Sequence, residues 1–281
     1  MEVNGVSLWV EDFGDHADPA ILLIHGAGES SLAWDDEFVR RLVAGGRRVI
    51  RYDSRDAGRS TAYPAGAPGY NLRDLVADAV GVLDALGVRT AHLVGMSQGS
   101  AVAQLVALDH PERTASLTLA SSTPGGPGHE NADLPGMSPA LQAFFSEEAP
   151  EPDWTDRDAV VAYLVGSERP FAAASRPFAE AVRRANAERV VDRAGDIAAQ
   201  LSNPFLIDPG EPWRHRLGRI AVPALVFHGA EDPLFPIEHG RALAAEIPGA
   251  RFVAMPATGH EVFPEAQWDL VVPALLAHTA A

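Results

Sequence analysis

The chain reads Gly95-Met96-Ser97-Gln98-Gly99 directly after a short apolar run at 92–94 and directly before a helical pattern. A Gly-x-Ser-x-Gly at a strand-to-helix junction dictates a tight turn with a strained central residue. The positions two before and two after must be glycine-sized so that the chain can pass and the helix can pack. Ser97 then stands at a helix N-terminus, where free N–H groups and the positive end of the helix dipole favour a developing anion. We read Gly95 and Gly99 as elbow glycines and Ser97 as a nucleophile. The motif alone is common by chance; its place between strand and helix makes it informative.

The surrounding pattern supports that junction. Apolar runs at 21–24, 49–52, 92–94 and 117–120 sit between turn signals, as buried strands of a parallel sheet do. Helical patterns at 36–44, 71–86 and 96–109 alternate with them, the second carrying an apolar stripe from Leu72 to Leu86 and stopped by Gly87. Alternation of this kind implies βαβ units and an α/β fold, a mostly parallel central sheet flanked by helices. It breaks at Pro124-Gly125-Gly126-Pro127-Gly128. Helices are expected next at 140–146, 156–165, 176–188 and 194–201, without a convincing strand among them. Strands resume at 224–227 and 252–255, with helices at 237–247 and 264–278. The expected organisation is a core over 1–123 and 218–281 interrupted by a helical cap over 124–217.

A serine hydroxyl needs a base to take its proton and a third group to orient that base. The loop His228-Gly229-Ala230-Glu231-Asp232-Pro233 follows a strand, where such sheets place catalytic groups, and it supplies the acid. Asp232 is the choice on its spacing from the strand, with Glu231 as the competitor. Thr258-Gly259-His260 follows the last strand, so His260 is the base. The loop His25-Gly26-Ala27-Gly28 opens after the run at 21–24. Gly26 and Gly28 let it aim the Ala27 N–H, together with the Gln98 N–H, at a carbonyl oxygen gaining charge. His25 is expected to hold this loop by hydrogen bonding. The dinucleotide reading fails, because residue 31 is serine where a third glycine would stand. Of the other histidines, His92, His110 and His228 read as packed or surface residues, and His16, His129, His215, His239 and His278 as solvated ones.

Composition removes several function classes. The 22 basic residues, all arginine, face 38 acidic ones for a net charge of −16, which repels phosphate backbones and argues against nucleic acid. With no cysteine there is no thiol nucleophile, disulfide or Cys-ligated metal. The histidines lack zinc-ligand spacing, so no metal is expected. No apolar run approaches the ~18–20 residues that cross a bilayer. No signal-like start is seen, so a cytoplasmic location without membrane association is the default expectation. Oligomeric state is left open.

Strand, elbow, acid, histidine and glycine loop in this order make the core resemble the α/β-hydrolase superfamily. The likeness extends to Asp53-Ser54-Arg55-Asp56-Ala57-Gly58-Arg59-Ser60, similar to that superfamily's D-x-R-G-x-G-x-S stretch, with Asp56 where glycine is usual. The segment Glu11-Asp12-Phe13-Gly14-Asp15, the stretch 51–61 and Leu108-Asp109-His110 look most like bacterial polyketide methylesterases of the aclacinomycin methylesterase type. That resemblance implies a Ser97–His260–Asp232 triad acting without a cofactor on a small-molecule ester. It also separates this chain from relatives with aspartate at the elbow, such as haloalkane dehalogenases. Cofactor-free perhydrolases usually carry an aromatic residue at Ala27 and methionine at Gln98, and this chain departs at both. The expected reaction is cleavage of a carboxylic ester of a largely apolar substrate. Alternatives with the same triad are C–C or amide hydrolysis, and from another class a ligand receptor with little turnover. Phe144, Phe145, Trp154, Tyr163, Phe171, Phe178, Phe205 and Trp213 supply the insertion's aromatic surface, most of it expected to pack helices.

Overall fold

The chain opens with a hairpin, β1 (Glu2–Val3) and β2 (Val6–Ser7), turned by Asn4 and Gly5 at φ 46° and 78°. Type I′-like turns of this kind need two residues at positive φ, which Asn and Gly tolerate best. The computed structural model describes residues 1–147 and 150–280. Its central sheet has seven strands: β3 (Val10–Phe13), β4 (Ala20–Ile24), β5 (Arg48–Tyr52), β6 (Ala91–Met96), β7 (Thr114–Ala120), β8 (Ala224–Gly229) and β9 (Arg251–Met255). The spatial order is β3-β5-β4-β6-β7-β8-β9, with β3 antiparallel to β5 and every other pair parallel. Every residue of β4, β5 and β6 is buried, as expected of parallel strands covered on both faces.

Alternation along the strands divides the core. Leu22, Ile24, Ile50 and Leu93 face helices α2 (Leu72–Ala85) and α3 (Gln98–Asp109). Ile21, Leu23, Val49 and Val94 face α1 (Asp36–Ala44) and α9 (Trp268–His278). Helix α2 starts in a capping box between Asn71 and Asp74, a device worth about 1 kcal/mol, and stops at Gly87 with φ 67°.

Between β7 and β8 the described residues form only helices: α4 (Pro139–Ser146), α5 (Arg157–Glu168), α6 (Glu180–Arg193), α7 (Ile197–Ser202) and short 3₁₀ turns. Helix α8 (Ile237–Glu246) links β8 to β9. Strands β7 and β8 are parallel neighbours, so the helical stretch leaves at the C-terminal end of β7 and the chain crosses back to the N-terminal end of β8 at Ala224, which pairs with Leu117. Among the described residues no helix is long and apolar enough to cross a membrane.

Some sequence-based boundaries shift for local reasons. The helix expected from residue 96 begins at Gln98, because Met96 still pairs with Ala120 and the chain turns at Ser97. Helix α6 runs over Glu180–Arg193 instead of 176–188, since Pro177 disfavours helical geometry at Arg176. Asp196 caps α7 through the Ala199 N–H, delaying its start from 194 to 197. The stretch expected as one helix over 264–278 is a 3₁₀ turn at Glu265–Gln267 followed by α9. Strands β1 to β3 were not anticipated.

Candidate active site

At the end of β6 the chain turns sharply, and Ser97 takes φ 51° and ψ −114°. Non-glycine residues reach such a conformation at a cost of about 1–3 kcal/mol, so neighbouring bonds must hold it. The Ser97 N–H donates to Ala120 O at 2.9 Å, and the Ser122 hydroxyl donates to Ser97 O at 3.1 Å. The two flanking glycines are dictated by close backbone approach. A Cβ on Gly99 would sit 2.6 Å from His25 O, and one on Gly95 would sit 2.6 Å from Ser100 N. Both contacts are with rigid backbone.

Parallel pairing then gathers the other groups at the same sheet edge. Beyond β8 the Asp232 carboxylate is fully enclosed. Its Oδ1 accepts the N–H groups of Leu234 and Phe235, each at 2.9 Å, and its Oδ2 accepts His260 Nδ1–H at 2.9 Å. Glu231 points elsewhere: its carboxylate accepts the N–H of Ser175 at 2.9 Å and the Ser175 hydroxyl, both from the helical stretch. Of the two acids, Asp232 is the one that contacts His260. Burial opposes ionisation of Asp232, but the neighbouring His260 outweighs it and holds the carboxyl below its usual range. For His260 burial opposes the charged ring, yet the Asp232 charge and hydrogen bond prevail and raise its pKa above the ordinary histidine value.

The imidazole of His260 lies between Phe171, 6.1 Å away between ring centres, and Phe235, 5.6 Å away. Its backbone N–H donates to Phe171 O at 2.8 Å. With Nδ1 held by Asp232, Nε2 is the nitrogen left to exchange a proton with substrate or serine. Among the described residues the Ser97 hydroxyl makes no direct hydrogen bond to this ring; in resting enzymes that contact is often long and tightens with substrate.

Strand order places β4 beside β6, so the loop after β4 meets the elbow. His25 donates from Nδ1 to Gly26 O at 2.8 Å and accepts the Ser54 N–H at Nε2 at 3.1 Å, so both nitrogens brace the loop. Burial lowers its pKa, which keeps it neutral for that exchange. Gly28 has φ 75°, and a Cβ there would lie 3.3 Å from the Phe205 ring. Among the described residues neither the Ala27 nor the Gln98 amide donates in the turns, loops and caps. Both are free to meet an oxyanion.

Contacts that sequence reasoning missed tie the helical stretch to this loop and to the elbow. Gln98 Nε2 donates to Pro204 O at 2.8 Å, and Gln200 Nε2 donates to Gly28 O at 3.2 Å. Asp56 has φ 65°; its Oδ1 accepts the Tyr63 N–H at 2.6 Å and its Oδ2 accepts Asn203 Nδ2–H at 3.0 Å. His239, expected to be solvated, is buried and bonded to the Thr123 hydroxyl and Pro135 O. Its neighbours come from segments remote in sequence. A cavity of about 400 Å³ beside Trp154, Arg157, Asp192 and Ile197 includes none of Ser97, Asp232 and His260.

The profile of the alpha/beta hydrolase fold family matches residues 19–267. Rhodomycin D methylesterase DauP of Streptomyces sp. (strain C5) is 36% identical over 98% of this chain and 96% of its own length. A 2-hydroxy-6-oxononadienedioate/2-hydroxy-6-oxononatrienedioate hydrolase of Comamonas testosteroni is 30% identical over 89% of this chain and 82% of its own. Among solved structures, a hydrolase from Pseudomonas aeruginosa PA01 superposes with a TM-score of 0.70 at 28% identity, covering 99% of this chain and 96% of that one. The chain belongs to the alpha/beta hydrolase fold family.

Proposed function

We propose that the chain is a serine esterase that cleaves a carboxylic ester of a small, largely apolar molecule, with a methyl ester of a polyketide-like compound as its substrate. The observation that carries this reading is the Asp232–His260 hydrogen bond at the sheet edge where the strained Ser97 elbow also emerges. Ser97 Oγ attacks the ester carbonyl while His260 Nε2 takes its proton, and Asp232 steadies the charged ring. The amides of Ala27 and Gln98 hold the oxyanion. His260 then passes the proton to the leaving alkoxide, which departs as an alcohol and leaves an acyl-serine. A water molecule gives a proton to His260 and attacks the acyl carbon; the acid then departs as His260 returns that proton to the Ser97 oxygen. The cycle uses these side chains and water alone.

The helical stretch over 124–217 serves as a cap. Phe171 and Phe235 against His260 give the reacting bond apolar, aromatic neighbours, which suits a fused or aromatic acyl group better than a charged one. The methylesterase likeness spans nearly the whole of both chains, whereas the 30% relative is named for an oxo-dienedioate and matches less of each. We therefore place ester cleavage ahead of C–C or amide cleavage. The proposal includes action in the cytoplasm on a small-molecule substrate.

Replacing Ser97 by Ala should abolish hydrolysis of p-nitrophenyl acetate and of aromatic methyl esters while leaving the circular dichroism spectrum intact. Undiminished turnover would sink the assignment. Faster turnover of a β-diketone or an aminoacyl amide than of any ester would move it to the alternative chemistry.

A further inference from the structure

We propose that Glu29 is a positioning residue for this reaction, its carboxyl bracing the turn that carries the Ala27 N–H and acting, one glycine away from Ser97, as a charge felt by His260. The inference rests on the esterase reading. Glu29 Oε2 accepts the Gly26 N–H at 2.8 Å, and the Glu29 N–H donates to Gly26 O at 3.4 Å. These two bonds close a ring around Gly26-Ala27-Gly28. They occupy the Gly26 amide and leave that of Ala27 unengaged among the described residues. A Cβ on Gly26 would lie 2.9 Å from Glu29 Oε2 and 3.5 Å from Ser97 Cβ. Carboxyl and nucleophile thus flank the same backbone carbon.

The charges that act on Glu29 come from three other elements: His260 after β9, Glu168 on α5 and Arg183 on α6. Arg183 is engaged by other acids, through Nη1 to Glu168 at 3.2 Å and through Nη2 to Glu261. Arg176 holds both oxygens of the same Glu261, at 2.6 and 2.5 Å, and Glu261 also accepts the Gly259 N–H at 3.1 Å. Arg183 is therefore engaged by Glu168 and Glu261, Arg176 by Glu261, and Glu29 accepts the Gly26 amide. Burial, only partly offset by that amide and by His260, pushes the Glu29 carboxyl up to about 7. Its charge therefore changes near neutral pH. Ionised Glu29 favours the protonated imidazole, and neutral Glu29 gives no such support.

The test uses the whole protein and reads the reactivity of Ser97 without knowledge of the natural substrate. The rate of labelling by a fluorophosphonate, and kcat and KM for a p-nitrophenyl ester, are followed from pH 5 to 9 in wild type, Glu29→Gln and Glu29→Ala. Gln removes the charge but retains an oxygen for the Gly26 amide. Its acid limb should move to lower pH by about half a unit or more, since the anion no longer supports protonated His260. Ala removes the brace as well, so its plateau kcat should fall about tenfold with KM little changed, and Gln should recover part of that loss. A limb that stays in place in Glu29→Gln overturns the proposal, whatever the plateau does. Labelling of Ser97→Ala as fast as wild type would instead refute the esterase reading, so the two failures are distinguishable.

Discussion

Replacing Asp232 by Asn tests the most constrained hydrogen bonds of the site. Asp232 Oδ1 accepts two backbone amides, and Oδ2 accepts His260 Nδ1–H. An asparagine brings one oxygen and one NH₂. If the oxygen keeps the Leu234 and Phe235 amides, the NH₂ faces His260 Nδ1, and two donors cannot share that contact. The opposite orientation sets the NH₂ against two backbone N–H groups, leaving both unsatisfied at about 1–3 kcal/mol each. The first arrangement wins, and the imidazole responds by moving its proton to Nε2. The nitrogen that must receive the Ser97 proton is then blocked. Turning the acid of a Ser-His-Asp triad into an amide lowers kcat on the order of 10⁴-fold. That corresponds to about 5.5 kcal/mol of lost transition-state stabilisation. Because the substrate does not touch Asp232, KM should change little. Steady-state hydrolysis of a p-nitrophenyl ester, with circular dichroism to confirm folding, measures the loss. A folded variant with kcat within tenfold of wild type would show that Asp232 does not set the position of the His260 proton.

Two further outcomes follow from the same coordinates. Arg55 and Asp78 form a two-bond ion pair at 2.7 and 2.9 Å with both side chains almost wholly enclosed. Asp78→Ala should lower stability by about 3–5 kcal/mol in urea titration, because it leaves a buried guanidinium unpaired. A loss under 1 kcal/mol would refute that reasoning. Ester hydrolysis needs neutral His260, whose pKa is raised above 6.5 when Asp232 is ionised. Turnover should therefore rise with pH through an inflection above 6.5 and be lost as pH falls below it. An inflection well under 6.5 in kcat/KM would contradict the Asp232–His260 coupling.

What could be read from sequence was local. Strands β4 to β8 are enclosed by helices, so each reads as an apolar run. Edge strand β3 is Val-Glu-Asp-Phe, and nothing in those four residues marks a strand. Its charges are compensated by arginines across the sheet, Glu11 by Arg51 at 2.8 Å and Asp12 by Arg48 at 3.0 and 2.7 Å. Register on β5 creates those pairs, and no window of sequence contains both partners. The proposed triad can be read from sequence for the opposite reason. Ser97 follows directly on β6, Asp232 and His260 lie in the loops just beyond β8 and β9, and each has a glycine close by in sequence.

The residues that shape the site without entering the chemistry had no such marker. Glu29 reads as one more acidic loop residue until the fold sets its carboxyl on Gly26. Asp56 shows the difficulty most clearly, because its place in a stretch that usually carries glycine made it look like a local departure. At φ 65° it bears a steric cost that glycine would avoid, roughly 1–2 kcal/mol. Two hydrogen bonds offset that cost, one to the Tyr63 amide nearby and one to Asn203, 147 positions later in the helical stretch. Asn203 passes the connection on by accepting the Gly66 N–H at 2.8 Å. A glycine at 56 would fit the turn and lose the link. The carboxylate is thus the local half of a contact joining the core to the helices above it, and a motif comparison can register only its oddity.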